Sequence, residues 1–263
     1  MARLARRSYC RFGIAPLLLV MLAGCGFAPL AVRTLPFAPS TSTHRIMPPT
    51  HCLPPSTTPQ SLLSLGDSYT IGEGVAETER WSVILQKLLT EHGWQIQPPT
   101  IVARTGWTTD ELANAIQSAE LTEHYDWVTL LIGVNNQYRG YPLDNYQLEF
   151  SQLLQSALQF TGGNAKRVVV LSIPDWSVTP FAMQAGRTAD GEQIAKFNEI
   201  NRMVSEQAGV LYIDITPTSQ QGVWADPSTA LAPDQLHYSG AMHREWALLA
   251  LEGICQSLQA GKP

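Results

Sequence analysis

The stretch SLLSLGDSYTIGEG runs from Ser61 to Gly74. An apolar run of strand character stops abruptly at Gly66-Asp67-Ser68 and then meets more glycine. Glycine permits a tight turn where a side chain would be strained. A buried strand that ends this way displays a small hydroxyl, Ser68, at the edge of a sheet.

Outward from this stretch, apolar runs alternate with amphipathic helices. Trp81, Ile84, Leu85, Leu88 and Leu89 recur at the spacing of one helical face, and Gly93 is a fitting stop. A second strand, TIVA, ends near Arg104. The tetrad Thr108 to Glu111 reads as a capping box, and Leu112, Ala115, Ile116 and Ala119 continue that helix's buried stripe. WVTLLIGV, RVVVLSIP and VLYIDI read as three further strands, nearly continuous in apolar residues, as strands covered on both faces are. Helices are expected near 144–160, 190–208 and 239–258.

Five strands alternating with helices predict a parallel sheet with helices on both faces. Right-handed crossovers place every strand's C-terminal end on one edge, where such folds bind ligands. The residues after each strand are therefore the informative ones. They are Gly66-Asp67-Ser68, RTGWT with Gly106, GVNNQYRG with Gly133, Asn135 and Asn136, PDWSVTP with Asp175 and Trp176, and PDQLHYSG with Asp234 three residues before His237. Together they supply a nucleophile, a backbone N–H at a glycine, an amide side chain, an acid and a base.

These blocks resemble, in order and placement, those of the SGNH hydrolases of the GDSL esterase/lipase superfamily, over about residues 61–258. The resemblance implies a flavodoxin-like three-layer α/β/α fold with a five-stranded parallel sheet. It implies Ser68, His237 and Asp234 as catalytic residues, with Ser68, Gly106 and Asn135 forming the oxyanion hole. The family often carries Asp after the oxyanion Asn; here Asn136 stands there, without the charge but still able to hydrogen-bond.

The chemistry accounts for the residue types. A serine hydroxyl is a weak nucleophile and needs an adjacent base, here His237. Asp234 orients the imidazole and stabilises the imidazolium. The tetrahedral oxyanion needs prepositioned donors. This scheme calls for no cofactor and no metal. Asp234 and His237 lack a third metal ligand, and no CxxC or Cys/His cluster suggests zinc. GEGVAE, Gly72 to Glu77, lacks the third glycine of a dinucleotide loop. Arg139 reads as a solvated arginine, with contact to an acidic substrate group as the other reading, whereas Asp175 and Trp176 sit where they either touch substrate or pack. Acetylated sugars, acyl lipids and thioesters all suit the machinery as substrates. A non-catalytic binding surface on the same fold is the alternative reading.

The N-terminal segment is of another kind. Arg3, Arg6, Arg7 and Arg11 precede the apolar Phe12–Cys25 run. That is the pattern of a secretory signal, too short for a membrane span and interrupted by Pro16. Its end, Leu22 to Cys25, resembles a bacterial lipobox, in which Cys25 is the lipid attachment site; plain secretion is the alternative. The expected organisation is a lipoprotein signal peptide over 1–24, a Pro/Thr/Ser-rich tether over 25–60 and a hydrolase domain over 61–260. The membrane is thus an expected partner through the lipid anchor. Gly26 rather than Asp after the Cys favours an outer membrane, facing the periplasm, in a cell with two. The formal net charge of −5 speaks against nucleic acid as a partner. Of four cysteines, Cys10 leaves with the signal and Cys25 carries lipid, so in an oxidising compartment Cys52 and Cys255 are a candidate disulfide. The sequence leaves the oligomeric state open.

Overall fold

The computed structural model describes residues 58–260. Five strands, β1 (Leu62–Gly66), β2 (Thr100–Ala103), β3 (Trp127–Leu131), β4 (Val168–Leu171) and β5 (Leu211–Ile213), form one parallel sheet in the order β2-β1-β3-β4-β5. The α-helices among the described residues are α1 (Ser68–Ile71), α2 (Trp81–Glu91), α3 (Thr109–Ser118), α4 (Val134–Tyr138), α5 (Leu143–Phe160), α6 (Pro180–Gln184), α7 (Gly191–Gln207), α8 (Thr216–Ala225), α9 (Pro227–Ala230) and α10 (Gly240–Ala260). This is the expected doubly wound α/β architecture. Every residue of β1, β3 and β4 is buried, whereas the outer strands β2 and β5 are partly exposed. The near-continuous apolar runs thus belong to strands shielded on both faces.

The helices pack in two groups. In one, α2 lies against α10; in the other, α5 lies against both α3 and α7. The chain passes from β1 outward to β2, then returns past β1 to β3. Connections from β1 and β3 therefore diverge, which makes the gap between them the topological switch point where such sheets bind ligands. The register places Gly66 beside both Ala103 and Leu131, so β1, β2 and β3 end level.

Gly66 is required there for space. A Cβ would lie 2.2 Å from the Thr70 hydroxyl and 2.4 Å from the Leu131 carbonyl oxygen. The chain can turn into α1 only because nothing projects from this position.

Strand boundaries differ from the sequence reading at one informative point. WVTLLIGV reads as strand to Val134, but β3 ends at Leu131 and α4 begins at Val134 after Gly133. Val134 is buried at a helix start, so its hydrophobicity carries no strand signal. The short helices α1, α4, α6 and α9 are too brief to show a helical period.

The expected signal peptide, Cys25, Cys52 and all of the tether but residues 58–60 lie outside the described residues; Gln60 bridges Ile96, so the sheet region begins one residue before the expected boundary. No helix among the described residues is long and apolar enough to cross a membrane.

Candidate active site

The Ser68 turn is built by its neighbour. Asp67 caps α1, its Oδ1 accepting the Tyr69 backbone N–H at 3.0 Å. Ser68 is the first helical residue, a position whose N–H has no intrahelical acceptor. Asp67 is fully buried, and among the described residues its Oδ2 has no hydrogen-bond partner. Burial raises the Asp67 carboxyl from 3.8 to about 7, against the lowering effect of the Tyr69 N–H.

The Asp234–His237 pair comes from the loop before α10. The His237 Nδ1 lies 2.6 Å from Asp234 Oδ2. Asp234 Oδ1 also accepts the Leu236 and His237 backbone N–H groups at 3.0 and 2.9 Å. Burial raises the Asp234 carboxyl, but the bonds from His237 and Leu236, with the His237 charge, outweigh it and hold it below the ordinary range. The loop's base is closed by an antiparallel bridge between Leu231 and Tyr238 and by the Tyr238 hydroxyl, which donates to the Asp175 carbonyl at 2.9 Å. At its tip Gln235 has φ 60°, a left-handed conformation that non-glycine residues rarely adopt. Tyr69 sets its ring edge against His237, with centroids 5.9 Å apart.

Gly106 is the third residue of a β-turn closed by Trp107 N–H donating to the Arg104 carbonyl at 3.2 Å. Its φ is 89°, as the third position of a type II turn demands. Here glycine serves conformation rather than space, because a Cβ would meet nothing closer than an Arg139 nitrogen at 3.9 Å. Asn135 stands on α4, and its Nδ2 donates to the Trp107 carbonyl at 2.8 Å, which leaves the second amide hydrogen.

Ser68, Gly106, Asn135 and His237 line one cavity of about 180 Å³, together with Tyr69, Thr105 and an apolar wall of Val134, Tyr138, Trp176, Phe181 and Leu236. The structure thus brings together four of the expected residues, with Asp234 directly behind His237. The Ser68 hydroxyl and the His237 ring share the cavity without a hydrogen bond between them; such contacts often tighten only with substrate. Larger surface clefts lie elsewhere, one beside the 227–235 loop and one at the β5 edge, but neither contains Ser68 or His237.

Other sequence readings resolve differently. Asp175 is buried and structural: its oxygens accept the Ser177 N–H at 2.9 Å and the Gln220 amide at 2.7 Å. Trp176 forms cavity wall. Asn136, buried, accepts the Thr109 N–H at 3.1 Å and donates to the Thr109 hydroxyl at 2.6 Å, tying α4 to the start of α3. Arg139 is not simply solvated, for it donates to the Gly106 carbonyl at 2.6 Å. Tyr138, Phe181 and Leu236 were not singled out in the sequence. Cys255 is buried and disulfide-bonded, while Cys52 lies outside the described residues.

A serine, a His–Asp pair and amide groups are thus gathered at the switch point of a doubly wound sheet. The sequence profile of the GDSL-like Lipase/Acylhydrolase family matches residues 64–245, and the chain belongs to that family; it is a carboxylic ester hydrolase. Solved structures of the same fold include a lipase/acylhydrolase from Enterococcus faecalis, at 16% identity and a TM-score of 0.60, covering 75% of this chain and 96% of that one. Another is the acetylxylan esterase Axe2 from Geobacillus stearothermophilus, at 20% identity and a TM-score of 0.56, covering 74% and 94%. A third is LAE5, an α/β hydrolase from the metagenome of Lake Arreo, Spain, at 18% identity and a TM-score of 0.57, covering 74% and 94%. No curated protein sequence matches the chain.

Proposed function

We propose that this protein is a serine esterase that hydrolyses carboxylic esters through an acyl-enzyme at the cell envelope. The observation that carries the reading is the single cavity shared by Ser68, Gly106, Asn135 and His237, with Asp234 bonded to the far side of the imidazole. Ser68 Oγ attacks the ester carbonyl carbon as His237 takes its proton. The carbonyl oxygen, now an oxyanion, accepts from the Ser68 and Gly106 N–H groups and the remaining Asn135 amide hydrogen. His237 returns the proton to the leaving alcohol oxygen as the C–O bond breaks. Water, deprotonated by His237, then attacks the acyl-Ser68 ester, and Ser68 regains its proton as the acid departs. Asp234 keeps Nδ1 protonated, so that Nε2 is the basic nitrogen.

The wall favours a neutral, apolar substituent on the ester, since among the described residues no ionisable group but His237 and the Tyr69 and Tyr138 phenols lines the cavity. A dry apolar cavity of about 150 Å³ accommodates benzene, so this space suits a short acyl chain or one ring.

The test is labelling by a fluorophosphonate probe. The wild type should label at Ser68, and Ser68→Ala should not. Absence of wild-type labelling and of ester turnover would leave a binding protein on a hydrolase fold.

We also propose that residues 1–24 are a lipoprotein signal, that Cys25 is acylated, and that residues 25–60 tether the domain to an outer membrane. LAGC and the basic start support this. Equal incorporation of an alkyne fatty acid into wild type and Cys25→Ala would overturn it. Cys52 is the proposed partner of Cys255; a free Cys52 thiol in protein from its native compartment, read by alkylation and mass spectrometry, would refute the pairing.

A further inference from the structure

The five residues that carry the Gly106 turn into α3 are each anchored separately. The Thr105 hydroxyl donates to the Glu73 carboxylate. The Gly106 carbonyl accepts from Arg139 at 2.6 Å, and the Trp107 carbonyl from Asn135 at 2.8 Å. The Thr108 N–H donates to Glu111 at 2.9 Å, and the Thr109 N–H to Asn136 at 3.1 Å. Three of the five anchors, at 135, 136 and 139, come from α4 and its C-terminal cap.

Arg139 is the cationic member of this set. Its backbone N–H closes α4 by donating to the Asn135 carbonyl at 3.0 Å. One guanidinium nitrogen grips the Gly106 carbonyl and another contacts Glu111 Oε1 at 3.3 Å, while Glu111 Oε2 holds the Thr108 N–H. The guanidinium fork therefore spans the glycine turn and the first turn of α3 from the helix that presents Asn135. Arg139 does not line the cavity, so substrate does not meet it there.

The turn is a place where orientation matters. Gly106 has no Cβ to restrict it, and its left-handed φ is one of several conformations open to glycine. Rotation of the Thr105–Gly106 peptide would carry the Gly106 N–H away from a fixed oxyanion position. The Gly106 and Trp107 carbonyls belong to the two peptides that follow, so holding them pins the frame from which the Gly106 N–H projects and narrows its movement. A preorganised donor needs no reorientation during the reaction, which is what gives such donors their value.

We propose that Arg139 is a positioning residue, which fixes the Gly106 N–H relative to the Asn135 amide so that both reach the developing oxyanion. This rests on the serine esterase reading above. Arg139 acts through the turn rather than on substrate, so its loss should be felt in the transition state more than in ground-state binding.

The experiment compares wild type, Arg139→Ala and Arg139→Lys on p-nitrophenyl acetate. It also measures inhibition by an alkyl boronic acid, whose adduct with serine is tetrahedral and anionic. Arg139→Ala should lower kcat by about ten- to a hundredfold, the range a misplaced reacting group costs, with KM changed by less than about twofold. The boronate inhibition constant should rise in parallel with the fall in kcat/KM. Arg139→Lys, which keeps one donor to the Gly106 carbonyl but not the fork, should fall between. Added guanidinium ion should recover part of the Arg139→Ala loss. Circular dichroism checks folding, and Arg139→Gln takes the place of Arg139→Ala if that variant does not fold. An unchanged kcat, or a raised KM with kcat intact, would overturn the proposal while wild-type turnover and probe labelling leave the esterase reading standing. Loss of wild-type turnover and labelling would instead remove the reading beneath it.

Discussion

Asp234 holds His237 at two places at once: Oδ2 meets the ring at 2.6 Å, and Oδ1 takes the backbone N–H of the same residue at 2.9 Å. One carboxylate thus fixes both the position of the His237 main chain and the rotation of its imidazole. Asp234→Asn keeps the size but can offer Nδ1 an N–H instead of an oxygen, which selects the wrong tautomer. We expect kcat to fall on the order of 10³- to 10⁴-fold, with ester binding little changed. Ser68→Ala should lose nearly all turnover, and Ser68→Ala/Asp234→Asn should be little worse, because the residues serve one step. Additive losses in the double variant would count against a shared role.

The remaining Asn135 amide hydrogen is the side-chain donor proposed for the oxyanion. Asn135→Ala should reduce kcat by roughly 100- to 1,000-fold, about 2.7–4 kcal/mol, the usual worth of one such donor. The same change frees the Trp107 carbonyl, so thermal unfolding should be measured beside the kinetics. A loss seen mainly in KM would place Asn135 in ground-state binding.

Asn136 makes a sharper prediction from hydrogen-bond polarity. The Thr109 hydroxyl gives its one hydrogen to Glu149, so it can only accept from Asn136 Nδ2. Asn136→Asp, although it restores the residue often found in the family, would set carboxylate lone pairs against hydroxyl lone pairs in a buried site. The variant should be destabilised by roughly 1–3 kcal/mol in urea at neutral pH, the cost of an unsatisfied buried group. Asn136→Asp/Glu149→Gln should recover part of this, because the charge between the two acids is reduced. Wild-type stability in Asn136→Asp would refute the assigned polarity.

Asp67 should impose a slope on stability. Its folded carboxyl titrates at about 7 against 3.8 for an ordinary one. Between those values the unfolded chain has released the proton and the folded chain retains it, so stability falls as pH rises from about 4 to about 7. The full effect is on the order of 4 kcal/mol. His243 works the other way: burial, with the His237 charge, lowers it from 6.5 to about 3, and its ring accepts the Trp81 N–H at 3.1 Å. Its contribution is lost as pH falls through that window. Asp67→Asn should remove the downward slope while preserving the acceptor for Tyr69. Identical pH profiles for wild type and Asp67→Asn would show that Asp67 is ionised throughout.

The cavity wall predicts acyl preference. The Trp176 indole N–H donates to Gln137 at 2.9 Å, Gln137 donates to Asp190 at 2.8 Å, and Asp190 pairs with Arg187 at 2.5 Å. The Arg187 guanidinium lies over Tyr138 at 4.2 Å and near Trp176 at 5.1 Å. Phe181→Ala should enlarge the space and shift p-nitrophenyl ester preference toward longer chains. Arg187→Ala should broaden the preference without shifting it, since it loosens two walls but removes neither. An unchanged chain-length profile in both would assign the acyl group to another surface.

Much of this architecture was legible in the sequence because burial on both faces writes long apolar runs, as in β1, β3 and β4. Amphipathic α2 and α3 announce themselves by period, and Glu111 does reach back to the Thr108 N–H at 2.9 Å as the capping box implies. Ser68, Gly106 and Asn135 were legible because each follows a strand end, whereas Asp234 and His237 lie beyond α8 and α9 and were legible by their own spacing. Most of the wall was not: Tyr138, Phe181 and Leu236 join Trp176 from α4, the segment after β4 and the loop before α10, and no local spacing records such a meeting. Nor did the sequence disclose Arg139's role, since its acceptor is a main-chain carbonyl more than thirty residues away, at Gly106.

The level ends of β1, β2 and β3 divide the molecule's labour along the chain. The proposed nucleophile and oxyanion donors hang from these three strands, while Trp176, Phe181 and the Asp234–His237 loop arrive from the segments after β4 and β5. Two of the walls, Trp176 and Phe181, thus belong to a connection that contributes no proposed catalytic group. Lengthening or replacing residues 176–187 is a route to a different acyl selectivity with the attacking oxygen and its anion site left where they are. Residues 234–237 do not offer that liberty, because there the surface that shapes the cavity and the proposed base are on the same short loop.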